Sequence, residues 1–140
     1  MANIVPDSFK QELFTATHNF SVSAGNTFKL ALYTTVTGFS TGTTNYIVTN
    51  ETSGTGYSAS GTTLTNALVT VAQNISFIDF NDATFSSATI SASCALIYNT
   101  TQSSKAVVVL DFGGTKTSTN GDFTIQFPAP NSTSAVLRIS

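Results

Sequence analysis

Few side chains in this sequence could do chemistry. His18 is the only histidine, Cys94 the only cysteine, and the acids are Asp7, Glu12, Glu51, Asp79, Asp82, Asp111 and Asp122. A Ser-His-Asp relay needs three groups converging beside an oxyanion hole, and no nucleophile elbow or oxyanion motif accompanies His18. Glycoside hydrolysis needs two carboxylates facing across a cleft, whereas these acids fall mostly at expected turns and strand ends. Asp111 is the exception, late in an apolar run, and reads as the cap of the Gly113-Gly114 turn. Cys94 reads as a small buried hydrophobe rather than a nucleophile or metal ligand. Asp79-Phe-Asn-Asp82 lacks the further oxygen ligands and closing Glu of a calcium loop, so it reads as a solvated turn. Three glycines, Gly54, Gly56 and Gly61, punctuate residues 50–61. With no following Lys, no preceding strand and no helix start, they make a surface loop with positive-φ corners, not a phosphate cradle. The expectation is no catalytic residue, no cofactor and no metal.

Composition narrows the partners. Only 9% of the 140 residues are charged and the net charge is −2, against about 25% charged in a typical domain. The five basic residues are scattered, which argues against nucleic acid. No apolar run approaches the roughly 20 residues of a spanning helix, and the first residues lack the apolar stretch of a secretory signal. At 41% hydrophobic with eleven Phe, the chain has the means to build a core. The sequons beginning at Asn19, Asn50, Asn74, Asn99 and Asn131 read as by-products of a Ser/Thr-rich composition. Tyr33, Tyr46, Tyr57 and Tyr98 offer stacking faces for sugars, but the absence of Trp weakens a carbohydrate-binding reading.

The organising stretch is residues 86–114. Ala88, Ile90, Ala92, Cys94, Leu96 and Tyr98 alternate with Thr89, Ser91 and Ser93, predicting a strand with one buried face. Residues 105–112 are almost continuously apolar, as in a central strand covered on both sides. The polar residues 99–104 join the two as an antiparallel hairpin, with Leu96 and Leu110 in the core. A helix is predicted over residues 8–17, with Glu12 placed for a capping box and Phe9, Leu13, Ala16 and Phe20 at helical spacing. Residues 1–20 then form an arm that either lids the sheet or docks on a neighbouring subunit, and residues 21–140 form one domain. Strands are expected over 27–35, 62–72, 74–80, 122–127 and 135–139. Residues 37–45 are a polar loop, and Tyr46-Ile-Val48 is a brief strand or one helical turn. Gly113-Gly114 should break the second hairpin strand, and Asn120-Gly121 should make a tight turn. The sum is a mainly β fold: an antiparallel sandwich or barrel of seven to eight strands with a short N-terminal helix.

Several stretches together resemble a group of small tailed-bacteriophage virion proteins. They are Asn50-Glu51-Thr52-Ser53-Gly54-Thr55-Gly56-Tyr57 with Gly61 and Leu64, Ala95-Leu96-Ile97-Tyr98-Asn99-Thr100, Lys105-Ala-Val-Val-Val-Leu-Asp-Phe-Gly113 and Asn120-Gly-Asp-Phe-Thr-Ile125. Ser8-Phe-Lys and Phe28-Lys-Leu-Ala-Leu-Tyr33 also fit, so the resemblance spans nearly the whole chain. Ser60 departs from it, standing where relatives often carry a second glycine. The resemblance implies a non-enzymatic virion component, assembled in the host cytoplasm. It fits best a head decoration, or cement, protein that binds the major capsid protein and copies of itself as a trimer. A tail or tail-fibre component is the alternative. With so few charges, docking is expected to use aromatic, backbone and hydroxyl contacts, with Phe9, Phe14, Glu51, Gly54, Gly56 and Tyr57 as the candidate interface.

Overall fold

The computed structural model describes residues 3–140. Met1 and Ala2, the start of the expected arm, lie outside the described residues. The elements are α1 (Asp7–Phe14), β1 (Phe28–Tyr33), β2 (Thr62–Thr63), β3 (Asn66–Ala72), β4 (Ile75–Phe80), β5 (Ala83–Asn99), β6 (Lys105–Ile125) and β7 (Leu137–Ile139). They form two antiparallel sheets, β2-β1-β5-β6 and β3-β4-β7, packed as a β-sandwich.

The larger sheet is buried on both faces over β1 and the adjoining ends of β5 and β6. Phe28, Leu30 and Leu32 of β1 join Ala95 and Ile97 of β5 in a core shared with Phe80 of the smaller sheet and Phe9 of α1. Ala31 and Tyr33 face the other way, with Cys94, Leu96, Tyr98 and Val109. That second core is roofed by Phe39, Val36, Tyr46 and Ile47, so the loop expected to be polar carries a buried Phe39 standing edge-on to Tyr33 at 4.8 Å. Tyr46-Ile-Val48 is neither strand nor helix; Tyr46 N bonds the turn carbonyl of Ser104.

The long hairpin forms, but its alternation breaks midway. Ala88, Ile90 and Ala92 belong to the inter-sheet core, whereas Cys94, Leu96 and Tyr98 belong to the opposite one. The reason is a large bulge. Ala92 pairs with Lys116 and Cys94 with Asp111, so residues 112–115 are extruded opposite Ser93 alone. Bulges increase local twist, and β5 turns about its axis here until Ala95 and Ile97 take the inward positions. Gly113 and Gly114, at φ 73° and 151°, therefore kink β6 without ending it. Asp111 accepts the Gly113 N–H at 2.9 Å, the capping role expected of it. Asn120-Gly121 likewise makes a second irregularity within β6, opposite Ala88, instead of a hairpin turn.

Three other expectations change. The helix stops at Phe14 rather than residue 17, because Thr15 already leaves helical geometry and Ala16 turns to φ 56°. Pro6 stands at its N-cap without a side-chain cap bond, Ser8 Oγ donates to Thr43 O, and Glu12 bonds elsewhere, so no capping box forms. The single strand expected over 62–72 divides into β2 and β3, which belong to different sheets. Leu64 is the corner: it is buried, and its N–H bonds Phe28 O. Asp79 lies in β4, within the strand expected over 74–80, so only Asn81 and Asp82 make the exposed turn.

Leu96 is fully buried, while Leu110 only packs partly against the inter-sheet core. Truncating Leu96 to Ala should cost about 2–5 kcal/mol of unfolding free energy and Leu110→Ala clearly less. Equal losses in denaturant titrations would contradict the two-core arrangement.

Candidate functional site

The glycine-bearing loop turns inward around one carboxylate. Loop residue Glu51 bridges to Tyr33 and Thr55 to Thr89, so the loop runs beside β5 beyond the end of β1. Glu51 Oε2 accepts the Tyr46 hydroxyl at 2.6 Å. Its Oε1 accepts the Tyr57 hydroxyl at 2.7 Å and the Ser60 N–H at 2.6 Å. The Tyr57 hydroxyl oxygen in turn accepts the Leu32 N–H at 3.0 Å, and Tyr98 donates to Ser60 O at 2.6 Å. Tyr33 donates to Ile47 O at 2.7 Å. Burial, reinforced by the Glu51 charge, pushes all four tyrosine hydroxyls above their ordinary pKa, so each stays protonated and donates. Gly56 and Gly61 let the loop settle this close: a Cβ on Gly56 would lie 2.7 Å from Ala88 Cα, and one on Gly61 1.8 Å from Leu30 O. Gly54 likewise lies against Thr89 O. The loop is thus packed against the sheet and its polar groups are matched.

A second polar cluster holds the helix. The His18 side chain is fully enclosed, with Nε2 2.6 Å from Glu12 Oε2 and Nδ1 2.9 Å from Asn99 Nδ2. Asn99 Oδ1 accepts from Thr101 N and Gln102 N, which fixes its amide as the donor toward His18. Nδ1 therefore accepts, and Nε2 carries the proton donated to Glu12. Phe9 and Phe20 flank the ring at 5.0 and 6.2 Å, and Lys105 Nζ lies 3.5 Å from Glu12 Oε1. Burial lowers the imidazole pKa against the opposing pull of Glu12. The cluster ties α1, the turn after β5 and residues 18–26 together.

Two other reactive types have been placed. Cys94 is buried, donates to Thr35 O, and has its thiol pushed up to about 12 by burial and by Asp111. Burial also raises the pKa of Asp79, whose Oδ1 is buried without a hydrogen-bond partner among the described residues.

The exposed apolar surface lies elsewhere. A groove of about 710 Å³ runs between α1 and the smaller sheet, lined chiefly by Leu13, Phe14, Phe20, Val69, Ile78 and Leu137. Phe14 stands at its rim 93% exposed. Of the residues singled out from sequence, Phe14 alone offers an aromatic face to solvent. Phe9 is in the core, 3% exposed, and Glu51, Gly54, Gly56 and Tyr57 gather in the loop network. On the sheet side the groove is walled by Val69, 51% exposed, and Val71 of the same strand stands beyond it, 64% exposed. Their period of two marks a common face but does not say whether anything covers it. Comparisons of the chain with protein-family models, curated proteins and solved structures give no match.

Two outcomes follow from these networks. Glu51→Ala strands two hydroxyls and one N–H, and should cost about 2 kcal/mol or more, since buried donors left unpaired cost about 1–3 kcal/mol each. Retention of wild-type stability would mean that water replaces the carboxylate. For His18, the folded-state pKa lies below the ordinary 6.5. The unfolded chain therefore binds the proton first, and stability present above pH 6.5 is lost as pH falls toward the folded value. As the only histidine, its ring can be titrated by NMR without assignment ambiguity. A midpoint at or above 6.5, or an Nδ1–H tautomer, would contradict the geometry.

Proposed function

We propose that this chain is a non-enzymatic structural protein of a bacteriophage virion: a head decoration protein that docks on the outer capsid surface, binds the major capsid protein and stabilises the shell. The observation that carries the reading is Phe14, 93% exposed at the rim of an apolar groove, in a chain only 9% charged. An exposed aromatic beside an apolar cleft suits an anchor that is buried on association. Burying such a side chain contributes about 1.5–3 kcal/mol, modest for one copy and sufficient when many copies act on one shell. The resemblance to small tailed-phage virion proteins supplies the setting. Self-contained side-chain networks around Glu51 and His18 are consistent with a scaffold built to persist, not to turn over substrate.

The test adds purified protein to particles lacking it, at low salt and again near 1 M. Because Debye screening weakens only charge-driven contacts, binding should persist. Phe14→Ala should weaken it by about tenfold or more while leaving stability within about 0.5 kcal/mol, as surface changes usually do. Collapse of binding in high salt, or indifference to Phe14, would remove the reading. A copy number of a handful per particle would favour a tail position over the head.

A further inference from the structure

We infer that the free edge of β3 pairs with the β3 edge of a second copy of this chain, joining two three-stranded sheets across a two-fold axis at Thr70. The inference goes beyond the virion reading and does not depend on it.

The two sheets have four edges, and three are protected. β2 is two residues long. β6 is covered along its first part by Ile4 and by residues 44–46, and beyond them it carries Lys116 and Asp122. β7 is three residues long and carries Arg138. β3 has the sequence Asn-Ala-Leu-Val-Thr-Val-Ala, with no charge and no proline. Charges, prolines, short lengths and bulges are how native edges avoid pairing; β3 has none of the first three, and its one bulge, between Asn66 and Leu68, lies before residues 69–71.

The backbone of β3 also points to the kind of partner. Gln73 and Asn74, both at positive φ (52° and 63°), make a two-residue turn between the paired residues Ala72 and Ile75. In such a hairpin the residues flanking the turn exchange hydrogen bonds, and bonded pairs then alternate along the ladder. Ala72, Thr70 and Leu68 therefore bond β4, and Val71 and Val69 turn their N–H and C=O groups outward. Among the described residues, no hydrogen bond outside the β3–β4 ladder reaches those groups. Two outward residues spaced two apart are self-complementary. With the axis at Thr70, Val69 exchanges both bonds with the second copy's Val71, and Val71 with its Val69. Their half-exposed side chains then meet side by side, extending the apolar row that already runs from Val69 across Ile78 to Leu137. An isologous contact of this type closes at two copies.

The full-length protein tests this by sedimentation velocity and by cross-linking. Wild type should be a dimer. Val71→Pro removes one outward N–H that β4 does not use, and should give a monomer with an unchanged β-sheet circular dichroism spectrum. Thr70→Cys needs no loss of function. Across the axis, Thr70 would form a non-bonded pair with Cα atoms about 4.5 Å apart, within the roughly 4.4–6.8 Å that a disulfide spans. Mild oxidation should therefore yield a covalent dimer, with buried Cys94 unable to substitute. A monomeric wild type, a closed trimer, a dimer that survives Val71→Pro, or failure of Thr70→Cys to cross-link would each overturn the inference. A Val71→Pro variant that unfolds leaves the cross-link to decide. Failure here leaves capsid docking through Phe14 untouched, because that assay reads the groove face and not the strand edge.

Discussion

Everything in this molecule depends on burying both faces of β1 and the adjoining halves of β5 and β6. A sheet covered on one side can leave its other face to water. Here Phe28, Leu30 and Leu32 face one core, while Ala31, Tyr33, Leu96 and Tyr98 face another. The smaller sheet and α1 cover the first face. Among the described residues no second sheet covers the other, so Ile4, residues 36–47 and the glycine-bearing loop do it. Irregular chain laid over apolar side chains cannot leave its own polar groups unpaired.

That requirement accounts for the polar networks. Glu51 receives three donors in a half-buried setting, and the tyrosines reach from the second core to the loop backbone above it. Their apolar rings fill the layer, and their hydroxyls satisfy its boundary. His18 serves the same end on the helix side, donating to Glu12 and accepting from Asn99 while three phenylalanines surround its ring. These residue types would look reactive in a list. Their hydrogen-bonding capacity is spent inside the fold.

The proposed association falls to what the cores leave uncovered. The smaller sheet shows one apolar row beside Phe14 and one uncharged edge at β3, and the two are continuous through Val69. A face and an edge can serve different partners at once, since side-chain docking and backbone pairing use different atoms. Such a division suits the proposed virion component, which would touch both a shell and its own copies.

The sequence by itself determined the mainly β class, the helix at the N-terminus, the hairpin joined at residues 99–104, the buried Cys94 and the Asp111 cap. Each of these rests on local signals: alternation, turn residues, or a side chain reaching two residues along. Tertiary structure decided the rest. Alternation could not reveal that Cys94, Leu96 and Tyr98 change sides relative to Ala88, Ile90 and Ala92, because the cause is a bulge in the partner strand. Nor could it separate β2 from β3, which differ in the sheet they join. Phe9 and Phe14 are both aromatic residues of one short helix, yet one is core and the other stands in water, since the direction of α1 across the sheet assigns the faces. Glu51 and Tyr57 looked like surface groups because their partners, Leu32 and Tyr46, are brought to them only by folding. A residue's own pattern tells which side chains share a face, and only the packing of distant segments tells what that face meets.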